Sequence, residues 1–318
     1  MPSNPHQHAL SSSRSFAAWA IVLNAGVWGL SWFPFRLLQA QGLHPLWATA
    51  LIYALCLCCL LLWQLVHYSG NSLKPAQPRP WLPWFWLLVV SSGLSNTCFN
   101  WAVTYGDVLR VVLLFYLMPA WSVLLAWTLL GERPSAKALM RLAMALCGVL
   151  IVLKSPDSPW RLASFMPQDI YDALAVLAGF CFALTSTIIR NLGNLANQGH
   201  AAPRAAIVGA MFGGSAVLSA LVALSAQWMG LWPAPPLLAL AWMAFALGTG
   251  LAFLAANIGF QYGAARLSVA VTSLLMLTEV VFSSVSSIAL GAAQLQAHTL
   301  VGGVLIGLAA LWAARDEN

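Results

Sequence analysis

The chain has 318 residues, 61% of them hydrophobic and 7% Asp, Glu, Lys or Arg, with a formal net charge of +6. Ordinary soluble domains carry about 25% charged residues, so a water-soluble globule is excluded. The basic residues are scattered singly between apolar runs, which also excludes a nucleic-acid footprint.

Apolar runs place spans near 16–36, 46–67, 84–105, 108–130, 137–153, 169–190, 203–229, 237–261, 267–290 and 296–314. A helix crossing hydrocarbon needs about 20 mostly apolar residues. The first fifteen residues are polar and read as a cytoplasmic tail. No short apolar core with a small-residue cleavage site follows, so the first segment reads as a retained helix. Gln41-Gly42-Leu43-His44-Pro45 separates the first two spans, a Pro-rich stretch from Ser69 to Pro83 the next two, and Gly131-Glu132-Arg133-Pro134 closes the fourth. The fifth span is the shortest. Ala205 to Ala265 carries no Asp, Glu, Lys or Arg over 61 residues and is broken only at Trp232-Pro233-Ala234-Pro235-Pro236.

The positive-inside rule sets orientation. With the N-terminus cytoplasmic, inside segments hold ten basic residues (Arg14, Lys74, Arg79, Arg133, Lys137, Arg141, Arg190, Arg204, Arg266, Arg315). Outside segments hold four (Arg36, Arg110, Lys154, Arg161). Both termini are therefore expected inside a cell (inner or plasma) membrane.

The chain resembles itself. Leu117 to Gly131 lies over Leu277 to Gly291 at an offset of 160, and Asn100 through Gly106 over Asn257 through Gly263 at 157. Arg36 parallels Arg190. The expected organisation is a tail (1–15), a first five-helix repeat (16–154), a linker (155–167), a second repeat (168–314) and a tail (315–318). Five is odd, so the copies run in opposite senses through the membrane. The expected fold is an all-α integral membrane protein of ten transmembrane helices as two inverted five-helix repeats, which argues for transport by alternating access.

Glu279 is the only Asp, Glu, Lys or Arg between Leu267 and Ala314 and falls near the middle of the ninth span. An ionised carboxylate at that depth costs about 2.5–3.5 kcal/mol, so it should face a cavity or a partner. It could bind a substrate ammonium group or carry a coupling proton; a hydrogen bond to a neighbouring helix is the plain alternative. Asn96 and Asn100 share one helical face, as do Asn257 and Gln261, and Asn100 and Asn257 are repeat equivalents. These amides should look inward, to bind substrate or to bond between helices; Asn24 is a further candidate. Trp28, Trp32, Trp101, Tyr105, Tyr116 and Trp121 fall inside spans and could line a cavity for an apolar or cationic substrate. Trp63, Trp81, Trp84, Trp160, Trp228, Trp232 and Trp312 read as an interfacial belt. Pro119 should kink the fourth span, and Glu279 occupies the aligned position of the second copy. Asp107 beside Arg110 is a possible exterior gate pair.

Six cysteines lie in apolar runs. Cys56-Leu57-Cys58-Cys59 reads as helix packing, because consecutive helical residues point in different directions. His44, His67 and His298 form no spaced ligand set. There is no phosphate-binding glycine loop and no metal or nucleophile constellation. Neither enzymatic activity, a metal nor a cofactor is expected; an intramembrane enzyme and a non-transporting scaffold subunit are the competing readings.

Trp28-Gly29-Leu30-Ser31-Trp32-Phe33 resembles the first helix of the drug/metabolite transporter superfamily, EamA branch. Leu129-Leu130-Gly131-Glu132-Arg133 resembles that branch's Leu-Gly-Glu ending of the fourth helix, and Gly302-Gly303-Val304-Leu305-Ile306 the glycine-rich start of the tenth. The resemblance covers about residues 16–314. It implies a ten-helix inverted-repeat carrier exporting amino acids or other small metabolites. The second copy reads Leu290-Gly291-Ala292, without the acid that follows Gly131, so an interaction made by Glu132 would be absent from its counterpart. The expected partners are a small-molecule substrate (an amino acid, a derivative or an organic cation) and the lipid bilayer.

Overall fold

The computed structural model describes residues 5–66, 79–105, 111, 114–153, 167, 169–232, 234–236, 240–290 and 297–316. Helices dominate them and no strand occurs among them. In chain order these are α1 (Pro5–Leu30), α2 (Trp32–Ala40), α3 (Pro45–Val66), α4 (Leu82–Tyr105), α5 (Met118–Leu130) and α6 (Ala136–Leu153). They continue as α7 (Ile170–Asn197), α8 (Arg204–Trp228), α9 (Leu240–Ala264), α10 (Val269–Met276), α11 (Thr278–Ala289) and α12 (Ala297–Asp316). Asp107, Arg110, Trp160, most of the 155–167 linker and residues 291–294 lie outside the described residues.

Six helical segments are long and apolar enough to cross a membrane: Ser15–Ala40, Pro45–Val66, Ile170–Asn197, Arg204–Trp228, Trp242–Ala264 and Val269–Ser286. Met118–Leu130 and Leu300–Ala309 are shorter apolar helices. The protein is thus a multi-pass membrane protein. α4 has the length, 24 residues, but its hydropathy is diluted by Ser91, Ser92, Ser95, Asn96 and Asn100. Four of these five are buried, and the fifth, Asn96, bonds to neighbouring helices.

The breaks have local causes. Proline lacks an N–H and collides with the carbonyl four residues earlier. Pro34 therefore parts α1 from α2 at Ser31, whose hydroxyl donates to Trp28 O at 2.6 Å. Pro45 starts α3, where a missing N–H costs nothing, and His44 Nδ1 accepts from Leu46 N at 3.2 Å. Gly131, at φ 71°, turns the chain back at the end of α5, so that Glu132 N reaches Ala126 O at 3.1 Å. α1 begins at Pro5, and its apolar part at Ser15, next to the expected residue 16.

Neither the fourth nor the ninth expected span is one helix. The fourth is interrupted at Tyr116–Leu117 and the ninth at Leu277. Pro119 does not kink a continuous helix, as the sequence led us to expect. It sits in the first turn of α5, after the break, where its missing donor is harmless.

α10 lies in the middle of the bundle, with seven of its eight residues buried. It touches α1, α5, α7 and α12. Around it α4 packs along α7 and α8, α1 along α9 and α11, α3 along α8 and α9, α5 along α7, and α6 along α12. Small residues let these backbones approach, the usual device where lipid removes the hydrophobic drive between helices. A Cβ on Gly214 of α8 would overlap Val89 O of α4. Outward faces are apolar, as at Leu61, Leu62, Leu65 and Val66 of α3. Trp63 and Trp228 are exposed with them, as an interfacial belt requires; Trp81 and Trp84 instead pack against the core.

Candidate functional site

Two cavities meet in the centre and share Trp28, Ser95, Asn96 and Phe182 as walls. One is walled further by Asn24, Tyr53, Thr185, Met211, Asn257 and Phe260. The other is completed by Phe99, Phe115, Met276 and Glu279. Both broken spans contribute: Phe115 precedes one break, while Met276 and Glu279 flank the other.

Glu279 is 8% exposed and lies in the first turn of α11. There the positive end of the helix dipole favours a negative group. Gly29 makes this approach possible: a Cβ on it would lie 2.8 Å from Glu279 O. The adjacent Trp28 lies in the cavity wall and stacks on Phe253 at 4.6 Å between centroids. The Trp-Gly pair thus combines a wall residue with a close helix crossing.

The amides divide into bonded struts and open walls. Asn96 is saturated: Oδ1 accepts from Tyr53 OH at 2.8 Å, and Nδ2 donates to Ser92 O at 3.0 Å and Ser215 Oγ at 2.9 Å. Asn100 Nδ2 donates to Thr49 Oγ1 at 2.7 Å, tying α4 to α3. Asn257 Nδ2 donates to Phe253 O at 3.3 Å. Asn24, 1% exposed, donates from Nδ2 to Met276 Sδ at 3.2 Å, while its Oδ1 is buried without a partner among the described residues.

Of the expected substrate residues, Trp28 and Asn257 line the cavities, together with Glu279. Asn100, Gln261, Trp101, Tyr105 and Tyr116 do not line them. Gln261 Nε2 instead donates to Met211 Sδ at 3.2 Å, and Tyr116 is buried against Phe115. Trp101 and Tyr105 belong to an aromatic cluster at one end of the bundle. There His44 stacks on Trp232 at 4.0 Å and approaches Tyr105 at 5.2 Å, Trp101 meets Trp232 edge-on at 5.3 Å, and Tyr105 stacks on Tyr171 at 6.2 Å. Trp232, expected in the interfacial belt, joins this cluster instead. Burial pushes the His44 imidazole down to about 4.

At the opposite end of α7, Arg190 Nε donates to Glu132 Oε1 at 3.4 Å, and its NH1 reaches Ala265 O at 3.5 Å. The ends of α5 and α9 meet the C-terminal third of α7 there. Arg36, the sequence counterpart of Arg190, lies over the Trp32 ring at 5.1 Å instead.

The sequence did not single out Tyr53, Phe99, Phe115, Phe182, Thr185, Met211, Phe260 or Met276 as cavity residues. A signal existed for one of them. Arg36 and Arg190 differ by 154, and the same offset carries Trp28 onto Phe182, which lines both cavities with it. Among the described residues no group of three or more His, Cys, Asp or Glu could hold a metal ion.

No curated protein matches the chain by sequence. A solved crystal structure superposes with a TM-score of 0.70 at 20% identity, over 94% of this chain and 98% of that one; at that identity it speaks for the fold alone. The model of the EamA-like transporter family matches residues 15–154. That segment carries the Trp28-Gly29 wall, the α4 amides and the Gly131-Glu132 turn, and it is similar to the EamA-like transporters of the drug/metabolite transporter superfamily.

Proposed function

We propose that the protein is a secondary-active transporter that exports a small metabolite, an amino acid, derivative or organic cation, by alternating access. It has ten spans in two inverted five-helix repeats, with both termini on the cytoplasmic side of the cell membrane. The Glu132–Arg190 pair then closes the cytoplasmic end and the His44–Trp232 cluster the outer end. Glu279 exchanges a proton for substrate in the cavity between them.

The observation that carries this reading is the enclosure of Glu279. It is the lone Asp, Glu, Lys or Arg of residues 267–314, and it lines a central cavity walled by aromatic and amide side chains from both halves. A carboxyl group at that depth is costly without a function or a partner.

The packing supports two equivalent halves. The offsets exchange α1 with α7, α3 with α8, α4 with α9, α5 with α10–α11, and α6 with α12. Under that exchange α4–α7 becomes α9–α1, α4–α8 becomes α9–α3, and α5–α7 becomes α11–α1, all of them contacts in this molecule. The α3–α8 and α6–α12 contacts map onto themselves. A pair of half-bundles so related can rock about a fixed midplane site.

Counterflow in proteoliposomes tests the proposal, using labelled amino acids and amines at two pH values. Exchange of at least one compound, faster than in protein-free vesicles and dependent on Glu279, is expected. Background rates for the whole panel at both pH values would overturn it.

A further inference from the structure

The cavity chemistry narrows the substrate, and this step rests on the transport reading above. Among the described residues its walls hold one formally charged side chain, the carboxylate of Glu279, and no Lys, Arg or His. An amino acid or other carboxylate placed there would bury its negative charge beside Glu279 with no cation to meet it. Burying a charge that finds no partner is among the costliest arrangements in a protein.

The neutral groups point the same way. Both amide N–H groups of Asn96 are engaged, with Ser92 O and Ser215 Oγ, and one N–H each of Asn24 and Asn257 is engaged, with Met276 Sδ and Phe253 O; what they leave to a ligand is uncharged. Ser92 and Ser95 donate to Leu88 O and Ala178 O, and Tyr53 donates to Asn96. The indole N–H of Trp28 is a further donor, and it is uncharged. On the acceptor side, Asn24 Oδ1 is buried with no partner among the described residues. Glu279 has no hydrogen-bond partner among those residues either.

The remaining surface is aromatic: Trp28, Phe99, Phe115 and Phe182 around the Glu279 cavity. Ring faces attract cations and accept apolar groups. We propose that this site binds a monocationic ammonium compound with an apolar or aromatic body and no carboxylate. Its N–H groups are received by Glu279 and Asn24 Oδ1, and its body lies between Trp28 and Phe182.

The test uses the purified full-length protein in lipid nanodiscs, with binding read by thermal shift and by calorimetry. Three probes share one ring and differ in charge: 2-phenylethylammonium, zwitterionic phenylalanine and 3-phenylpropionate. The cation is expected to bind at least 10-fold more tightly than either carboxylate. Comparable or tighter binding of phenylalanine or phenylpropionate overturns the assignment on the native protein, with no variant needed. Glu279→Gln should weaken the cation by about 10- to 100-fold, the range for a hydrogen bond to a charged group, while Glu279→Asp recovers part of it. Asn24→Leu, which removes the open acceptor, should also weaken it. Unchanged affinity in Glu279→Gln overturns the role given to that residue.

The same probes in counterflow separate the two proposals. Binding of the cation without exchange sinks the transporter and leaves the site. Exchange of phenylalanine in preference to phenylethylammonium sinks the substrate class and leaves the transporter.

Discussion

If the Arg190–Glu132 pair holds one end of the bundle shut, breaking it should shift the balance between closed and open states by a calculable amount. The pair spans 3.4 Å, and its side chains are 24% and 33% exposed. Partly solvated pairs of this kind contribute about 0.2–1 kcal/mol. Glu132→Gln should therefore raise the population open at that end by about 1.4- to 5-fold. Arg190→Gln also gives up the 3.5 Å contact with Ala265 O, so its effect should be larger. The double mutant isolates the pair: the two single effects should fail to add, by the coupling energy. A cysteine replacing Ser95 in the cavity wall reports opening through its labelling rate by a membrane-impermeant maleimide, in a background from which the six native cysteines are removed. High salt should reproduce much of the Glu132→Gln effect in the otherwise unaltered protein and add little to the variant, since at about 1 M the screening length falls to about 3 Å. Additive single effects, or a labelling rate unmoved by Glu132→Gln, would refute the latch.

The opposite end makes a prediction about pH. The His44 imidazole is pushed from 6.5 to about 4 by burial, so the folded protein binds fewer protons there than the unfolded chain. Its contribution to stability is fully present above 6.5, falls as the pH drops from 6.5 toward 4, and changes no further below that. His44→Asn keeps an acceptor for Leu46 N and removes the titration, so the difference in thermal stability between the two proteins should vary with pH only in that window; a constant difference would contradict the assignment. In the bundle, Gly214→Val should push α8 away from Val89 O of α4 at a cost of about 1–3 kcal/mol, read as a lowered unfolding temperature in detergent, whereas Gly213→Ala, with no contact nearer than 3.8 Å, should be close to neutral.

Much of the architecture was legible because hydrocarbon thickness is a hard constraint: apolar runs had to be helices, and their breaks had to hold Pro, Gly and charge. Glu279 and Trp28 could be picked out for a related reason, since a charged group or a large indole in the middle of a span needs a cavity or a close partner. The rest of the site was hidden by lipid. In α3 and α8 the face toward the core and the face toward the bilayer are both apolar, so periodicity does not reveal that Tyr53 and Met211 face inward while Leu61 and Leu221 do not. The amides show a second limit. Asn100 and Asn257 are equivalent in sequence, yet Asn100 is taken up by Thr49, a partner 51 residues away, and only the folded molecule reveals which amides are already bonded. The interruption at Tyr116–Leu117 was missed because a proline in the first turn of a new helix looks, in sequence, the same as a proline inside an old one.

The two interruptions have different chemistry. In the first copy Pro119 has no N–H to give to Phe115 O, so continuity is forbidden covalently. At the aligned position the second copy has Glu279, whose N–H could complete a continuous helix by bonding Leu275 O. That carbonyl is taken by a side chain: Thr278 Oγ1 donates to it at 2.7 Å, the kind of local competition by which Thr bends helices. Removing the hydroxyl with Thr278→Val should favour the continuous form by what the bond contributes, about 0.6–1.7 kcal/mol for polar bonds within membranes, or about 3- to 18-fold. Straightening the helix would rotate Glu279 relative to Trp28 and Gly29, so affinity for a cavity ligand should fall within that range. Thr278→Ser, which keeps the donor, should stay near the unaltered value. Equal affinities in Thr278→Val and Thr278→Ser would mean that packing against α1, and not this hydroxyl, holds the break open.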